Sequence, residues 1–114
     1  MGDFSKNIMF GKASVNGSVA DAVILECLSD VEVVLAWGVM TGAGATSDTV
    51  KITDGTHDLT DTVDVSSKVD KAIFLFGTLD DAYRGVAAGT SLHAVNASGA
   101  LVDVYLLAIP KNTP

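Results

Sequence analysis

The chain has 114 residues, 48% hydrophobic and 18% charged, with 7 Lys and Arg against 14 Asp and Glu for a net charge of −7. One domain of this length buries a core without staples, which become necessary only below ~40 residues, and its hydrophobic content excludes intrinsic disorder. Its basic residues (Lys6, Lys12, Lys51, Lys68, Lys71, Arg84 and Lys111) are scattered singly, which leaves no footprint for a nucleic-acid partner.

Met1-Gly2-Asp3-Phe4-Ser5-Lys6 has no apolar core of a signal peptide, and Lys6 stands where a myristoylation pattern needs Ser or Thr. No apolar run approaches the ~18 residues of a membrane helix. The expectation is a soluble protein made in a cytoplasm, with no membrane partner. Ser5–Ala13 reads as a first strand, followed by an Asn16-Gly17 turn. Val19–Leu28 and Val31–Met40 are rich in Val, Ile and Leu, with a tight turn at Ser29-Asp30 between them. Strict alternation puts Val31, Val33, Leu35, Trp37 and Val39 on one face, so Trp37 is expected in the core. Cys27, the single cysteine, excludes an internal disulfide and reads as a small buried hydrophobe.

Thr41–Ser47 is small and glycine-rich and reads as a flexible surface loop. Asp48–Thr53 alternates cleanly, Asp54-Gly55 signals a hairpin turn, and the chain returns through Asp58-Leu59-Thr60. Asp61–Ser66 alternates again, and Ala72–Phe76 is an apolar run of strand length closed by Gly77. Thr78–Ala88 fits either a short helix, capped by Thr78 and ended by Gly85, or a structured loop. Ser91–Asn96 and Ala100–Ile109 close the chain as strands, with a turn at Ala97-Ser98-Gly99 and a stop at Pro110. The fold expected is all-β: an antiparallel β-sandwich of jelly-roll type with six to eight strands and at most one short helix. Residues 1–114 form one domain, with loose tails at Met1–Asp3 and Lys111–Pro114.

No constellation for catalysis emerges. Asp54, Asp58, Asp61 and Asp64 offer oxygens to a cation but lack the calcium-loop spacing, so they read as solvated turn residues, with a metal site as the alternative. His57 and His93 have no further ligands at zinc spacing, and no G-x-S-x-G elbow occurs. Gly42-Ala43-Gly44-Ala45-Thr46 lacks the lysine and following helix of a phosphate loop. Asn16-Gly17-Ser18 and Asn96-Ala97-Ser98 match the glycosylation sequon but read more simply as turns. The expectation is no enzyme, no cofactor and no metal. Ala72–Phe76 and Leu101–Ile109 are apolar on both faces, and a sandwich covers only one, so self-association is expected.

Gly89-Thr90-Ser91-Leu92-His93-Ala94-Val95-Asn96, a short turn, then Leu101-Val102-Asp103-Val104-Tyr105-Leu106-Leu107 resembles the closing hairpin of the small jelly-roll decoration, or cement, proteins of tailed bacteriophages. Val50–Gly55 and the Thr/Asp-rich alternation after it look like their middle strands. The resemblance implies a homotrimer on the outer capsid surface of a virion, stabilising the shell against the major capsid protein, with no catalytic residues. Tails and loops adapt to a curved lattice, so the expected contacts are Met1, Asp3, Phe4, Phe10, Thr41, Ala43, Asp80, Tyr83 and Arg84. The alternative is a carbohydrate- or ligand-binding sandwich using Trp37 or Tyr83 beside the acidic loop.

Overall fold

The computed structural model describes residues 8–77, 79–80 and 82–111. Their period-two hydrophobic patterns become nine antiparallel strands: β1 (Met9–Val15), β2 (Asp21–Glu26), β3 (Val31–Met40), β4 (Thr49–Thr53), β5 (Val63–Asp64), β6 (Ile73–Leu75), β7 (Gly85–Val86), β8 (Ser91–Ala97) and β9 (Val102–Pro110). They form two sheets. The first runs β1-β9-β3-β6, with β7 also paired to β3; the second runs β2-β8-β4-β5. The count exceeds the expected six to eight through β7, a two-residue strand inside Thr78–Ala88 too short to leave a periodic signal, while of the alternating stretch Asp61–Ser66 only Val63–Asp64 pairs as β5.

Between the sheets lies the core. Val15, Val33, Met40 and Leu106 of the first sheet meet Val50, Ile52 and Leu92 of the second, all fully buried. Gly11 lets the two sheets touch at the β1–β2 edge, since a Cβ there would lie 2.5 Å from the Ile24 carbonyl oxygen. No helix occurs among the described residues. The stretch after β6 is the structured loop: the N–H groups of Tyr83 and Arg84 both donate to the Asp80 carbonyl, and Asp80 Oδ1 accepts the Ala82 N–H.

Several local expectations are corrected by the way the chain winds. Ser29-Asp30 joins β2 to β3 across the sandwich, and Ala97-Ser98-Gly99 joins β8 to β9 across it too, so neither closes a hairpin. Ser98 and Gly99 take positive φ (62° and 78°) to redirect the chain. Pro110 ends β9 as expected, although it is itself the last paired residue, opposite Val31, where a missing N–H is tolerated. Thr41–Ser47 is pinned rather than loose. The Gly44 N–H donates to Lys68 O at 2.8 Å, and a Cβ on Gly44 would overlap the Val65 carbonyl oxygen.

The consequential correction is in β3. Its register against β9 shifts between Val33 and Leu35, a β-bulge that leaves Val34 as the extra residue. Before the bulge Val31 and Val33 face the core; after it Ala36, Gly38 and Met40 do. Leu35, Trp37 and Val39 therefore point outward, and Trp37 is not a core residue.

Candidate functional site

The bulge gives the first sheet an outer face that is largely apolar. Three rows cross its strands, set by the pairing register. One runs Lys12, Tyr105, Trp37, Leu75; the next runs Phe10, Leu107, Leu35; the third runs Ser14, Asp103, Val39, Ile73. Ile73 is 73% exposed, Leu75 64% and Phe10 57%. Tyr105 and Trp37 stand side by side as a directly opposed cross-strand pair, their rings stacked 5.5 Å apart at 10°. Phe10 joins them at 5.8 Å from Tyr105 and 6.1 Å from Trp37, and the Lys12 ammonium lies 5.6 Å from the Tyr105 ring centre. The three rings make an aromatic ridge.

Beside the ridge is a groove. β6 covers β3 from Trp37 onward and β7 covers Val31 and Glu32, so the stretch of β3 between them is open. The opening has a volume of about 390 Å³ and is lined by Val34, Leu35, Leu75, Leu79 and Arg84, among others. Arg84 Nε donates to Val33 O at 3.3 Å and lies 4.0 Å from Glu32 Oε2. At the other end of the face Asp103 accepts from Ser14 Oγ at 2.6 Å and lies 3.7 Å from Lys12 Nζ.

The second sheet's outer face is polar by contrast. His93 Nδ1 meets Asp21 at 2.7 Å, Lys51 meets Asp58 at 3.0 Å, and Thr49 and Thr53 flank Lys51 on the same face of β4. The two outer surfaces thus differ in kind: one suits an apolar partner, the other water.

The expected contact residues do not form one cluster. Phe10 lies on the aromatic ridge. Thr41 and Ala43 are exposed just past the end of β3, while Asp80, Tyr83 and Arg84 sit near its start. At ~3.3 Å per residue the ten residues of β3 separate those loops by about 30 Å. Met1, Asp3 and Phe4 lie outside the described residues. Leu35, Trp37, Ile73, Leu75, Tyr105 and Leu107 were not among the expected contacts. Their signal was the both-faced apolar character of Ala72–Phe76 and Leu101–Ile109.

A second opening, of about 590 Å³, lies where the β4–β5 connection meets the β6–β7 loop, lined by Asp58, Thr60, Asp61, Leu79 and Asp80, among others. Tyr83 stacks on His57 nearby, ring centres 4.1 Å apart at 9°. The aspartates there serve the fold. Asp54 accepts the N–H groups of Thr56 and His57 at 2.8 and 2.6 Å, and Asp64 accepts from Ser66 N and Oγ. Burial pushes the Asp54 carboxyl up, but the hydrogen bonds from His57 and Thr56 and the charge of His57 outweigh it and hold the group below its ordinary range. The Ser66 hydroxyl and N–H likewise lower Asp64. Among the described residues no group of three or more His, Cys, Asp or Glu is placed to hold a metal ion. Cys27 is buried, and burial pushes its thiol up, away from the nucleophilic thiolate.

Fold and surface together define an antiparallel two-sheet β-sandwich with one apolar and one polar outer face. A chain in the solved structure of the capsid asymmetric unit of cyanophage Pam1 is similar in fold: TM-score 0.56 at 16% identity, covering 90% of this chain and 83% of that one. No family model matches the chain, and no curated protein matches it. At that identity the likeness is one of fold.

Proposed function

We propose that this chain is a structural virion protein that decorates and stabilises a phage capsid from its outer surface as a homo-oligomer, a trimer in the first instance. The observation that carries the reading is the strand order. β1-β9-β3-β6 facing β2-β8-β4-β5, with β7 as an addition, supports the interleaved double Greek key of a jelly roll, and the phage capsid chain of similar fold covers 90% of this chain. An apolar sheet face beside pinned loops suits a building block whose work is to make contacts. The major capsid protein is the proposed partner, and no catalytic step or cofactor is invoked.

Stacking of Trp37 on Tyr105, and of Tyr83 on His57, uses ring faces that a sugar would need, which weighs against the carbohydrate-binding reading. Cosedimentation with purified phage shells tests the proposal. The intact protein is expected to pellet with shells that lack their own decoration, and deletion of Met1–Ser5 is expected to weaken that binding while leaving the oligomer intact. A protein that stays in the supernatant with every shell tried overturns the reading.

A further inference from the structure

We propose that copies of this chain join head to tail through the outer face of the first sheet, the aromatic ridge of one copy seating in the groove of the next. This surface deepens the homo-oligomeric part of the reading above and needs no shell for its test.

Area is the first argument. Six large hydrophobic side chains of the face and its groove are exposed by more than a third: Phe10, Val34, Leu35, Ile73, Leu75 and Ile109. At ~200 Å² for a large side chain, their exposed fractions come to roughly 600 Å². Trp37, Val39, Tyr105 and Leu107, each partly exposed, enlarge the patch further. The largest apolar patch on an ordinary monomer is ~300–600 Å², and a stable interface takes about 800 Å² from each partner. The face is therefore at the limit for a monomer and close to the size of one side of a stable contact.

Charge is the second argument, and it selects the occupant. The chain carries −7 overall, so two copies repel each other across most of their surface. On this face the described charges balance: Lys12 with Asp103 at one end, Glu32 with Arg84 at the other. Each end thus offers one acid and one base to an incoming copy, and no like-charge row is forced into contact. A strongly basic partner would gain nothing from such a neutral face and would be drawn to the acidic remainder.

Shape sets the arrangement. Ridge and groove lie side by side on the same face, the ridge over β1, β9 and β3 and the groove between β3, β6 and β7. A ridge of one copy in the groove of the next is a heterologous contact, which closes into a ring when the rotation permits.

The test is sedimentation velocity on the isolated protein at micromolar concentration. Wild type is expected as a closed oligomer. Phe10→Asp, on the ridge, and Leu75→Lys, in the groove, are each expected to give monomers with unchanged β-sheet circular dichroism; Val23→Asp, on the polar second sheet, is expected to stay oligomeric. Should either face variant lose its β signal, the milder Phe10→Ser and Leu75→Gln are read in the same way. Mixing the ridge and groove variants leaves one sound contact between unlike copies, so a two-copy species is expected. A monomeric wild type, face variants that remain oligomeric, dissociation of Val23→Asp, or a mixture that stays monomeric would each overturn the inference. The shell experiment separates the two proposals. A monomeric wild type that pellets with shells, and loses this with Leu75→Lys, assigns the face to the shell protein and overturns self-association alone. A wild-type oligomer that ignores every shell leaves this contact standing and removes the virion role.

Discussion

Asp54 shows how a single carboxylate can hold a turn. Its hydrogen bonds from Thr56 and His57 favour the charged form, and its native pKa lies below the ordinary value. The unfolded chain therefore takes up the proton first as pH falls. The contribution is full above about pH 4, the unfolded value, and is lost as the pH drops through the lowered native one. Urea unfolding from neutral to acid pH is expected to show a steeper acid-side decline for wild type than for Asp54→Asn; equal slopes would assign the effect elsewhere. Asn96 is a second such residue. Its side-chain amide donates to Ala100 O at 2.8 Å and to Asn16 O at 3.1 Å, tying the β8–β9 crossing to the turn after β1. Buried in this way, its amide nitrogen is engaged in the fold, and the sequon Asn96-Ala97-Ser98 is the end of β8 rather than a turn, with only Ser98 beyond the strand. Asn96→Leu strands two carbonyls and is expected to cost about 2 kcal/mol in chemical denaturation.

Among the strands, β3 has the largest influence on the surface through one extra residue. Were the bulge straightened with Val34 kept in the ladder, strict alternation would turn Leu35, Trp37 and Val39 toward the core. Trp37 would then point to the side where Gly38 now lies against the Phe74 ring, which leaves no room even for a Cβ. Deleting Val34 instead removes the extra residue and leaves Val33 inward and Leu35 outward as now, so the deletion is expected to keep the folded β signal, and loss of that signal would refute the role given to the bulge. Gly38→Val keeps the bulge but pushes on Phe74, at an expected cost of about 1–3 kcal/mol. The same strand marks where sequence reading stops. Its limits, Val31 and Met40, are legible because Asp30 and Thr41-Gly42 bracket a run that is apolar but for Glu32. Its facing is not, because a bulge carries no residue signature of its own and reverses every side chain beyond it. Ala97-Ser98-Gly99 teaches a related limit. Its residues announce a turn, yet whether the chain returns beside β8 or crosses to the other sheet depends on packing far away in sequence.

At the scale of the molecule, an acidic body bears a neutral, apolar face. Copies meeting through that face still carry −7 each, and their repulsion is long-ranged at low ionic strength. Added salt is therefore expected to tighten the oligomer, read as a rise in weight-average mass between low and physiological salt; dissociation by salt would point to ion pairs as the adhesive instead. One further consequence lies in how the chain enters and leaves its first sheet. Met9 pairs beside Ala108, Pro110 pairs with Val31, and the Lys111 N–H reaches Asp30 O, so the strand that begins the fold and the strand that completes it open at one pole. The backbone is thus nearly a closed circuit. A short linker could join its ends, and a new opening at the exposed Gly55 turn would cut only the tip of a hairpin. Such a circular permutant should keep the same sandwich while offering its free ends at a different site, so that a fused cargo could be moved from one end of the molecule to another without altering a single contact in the core.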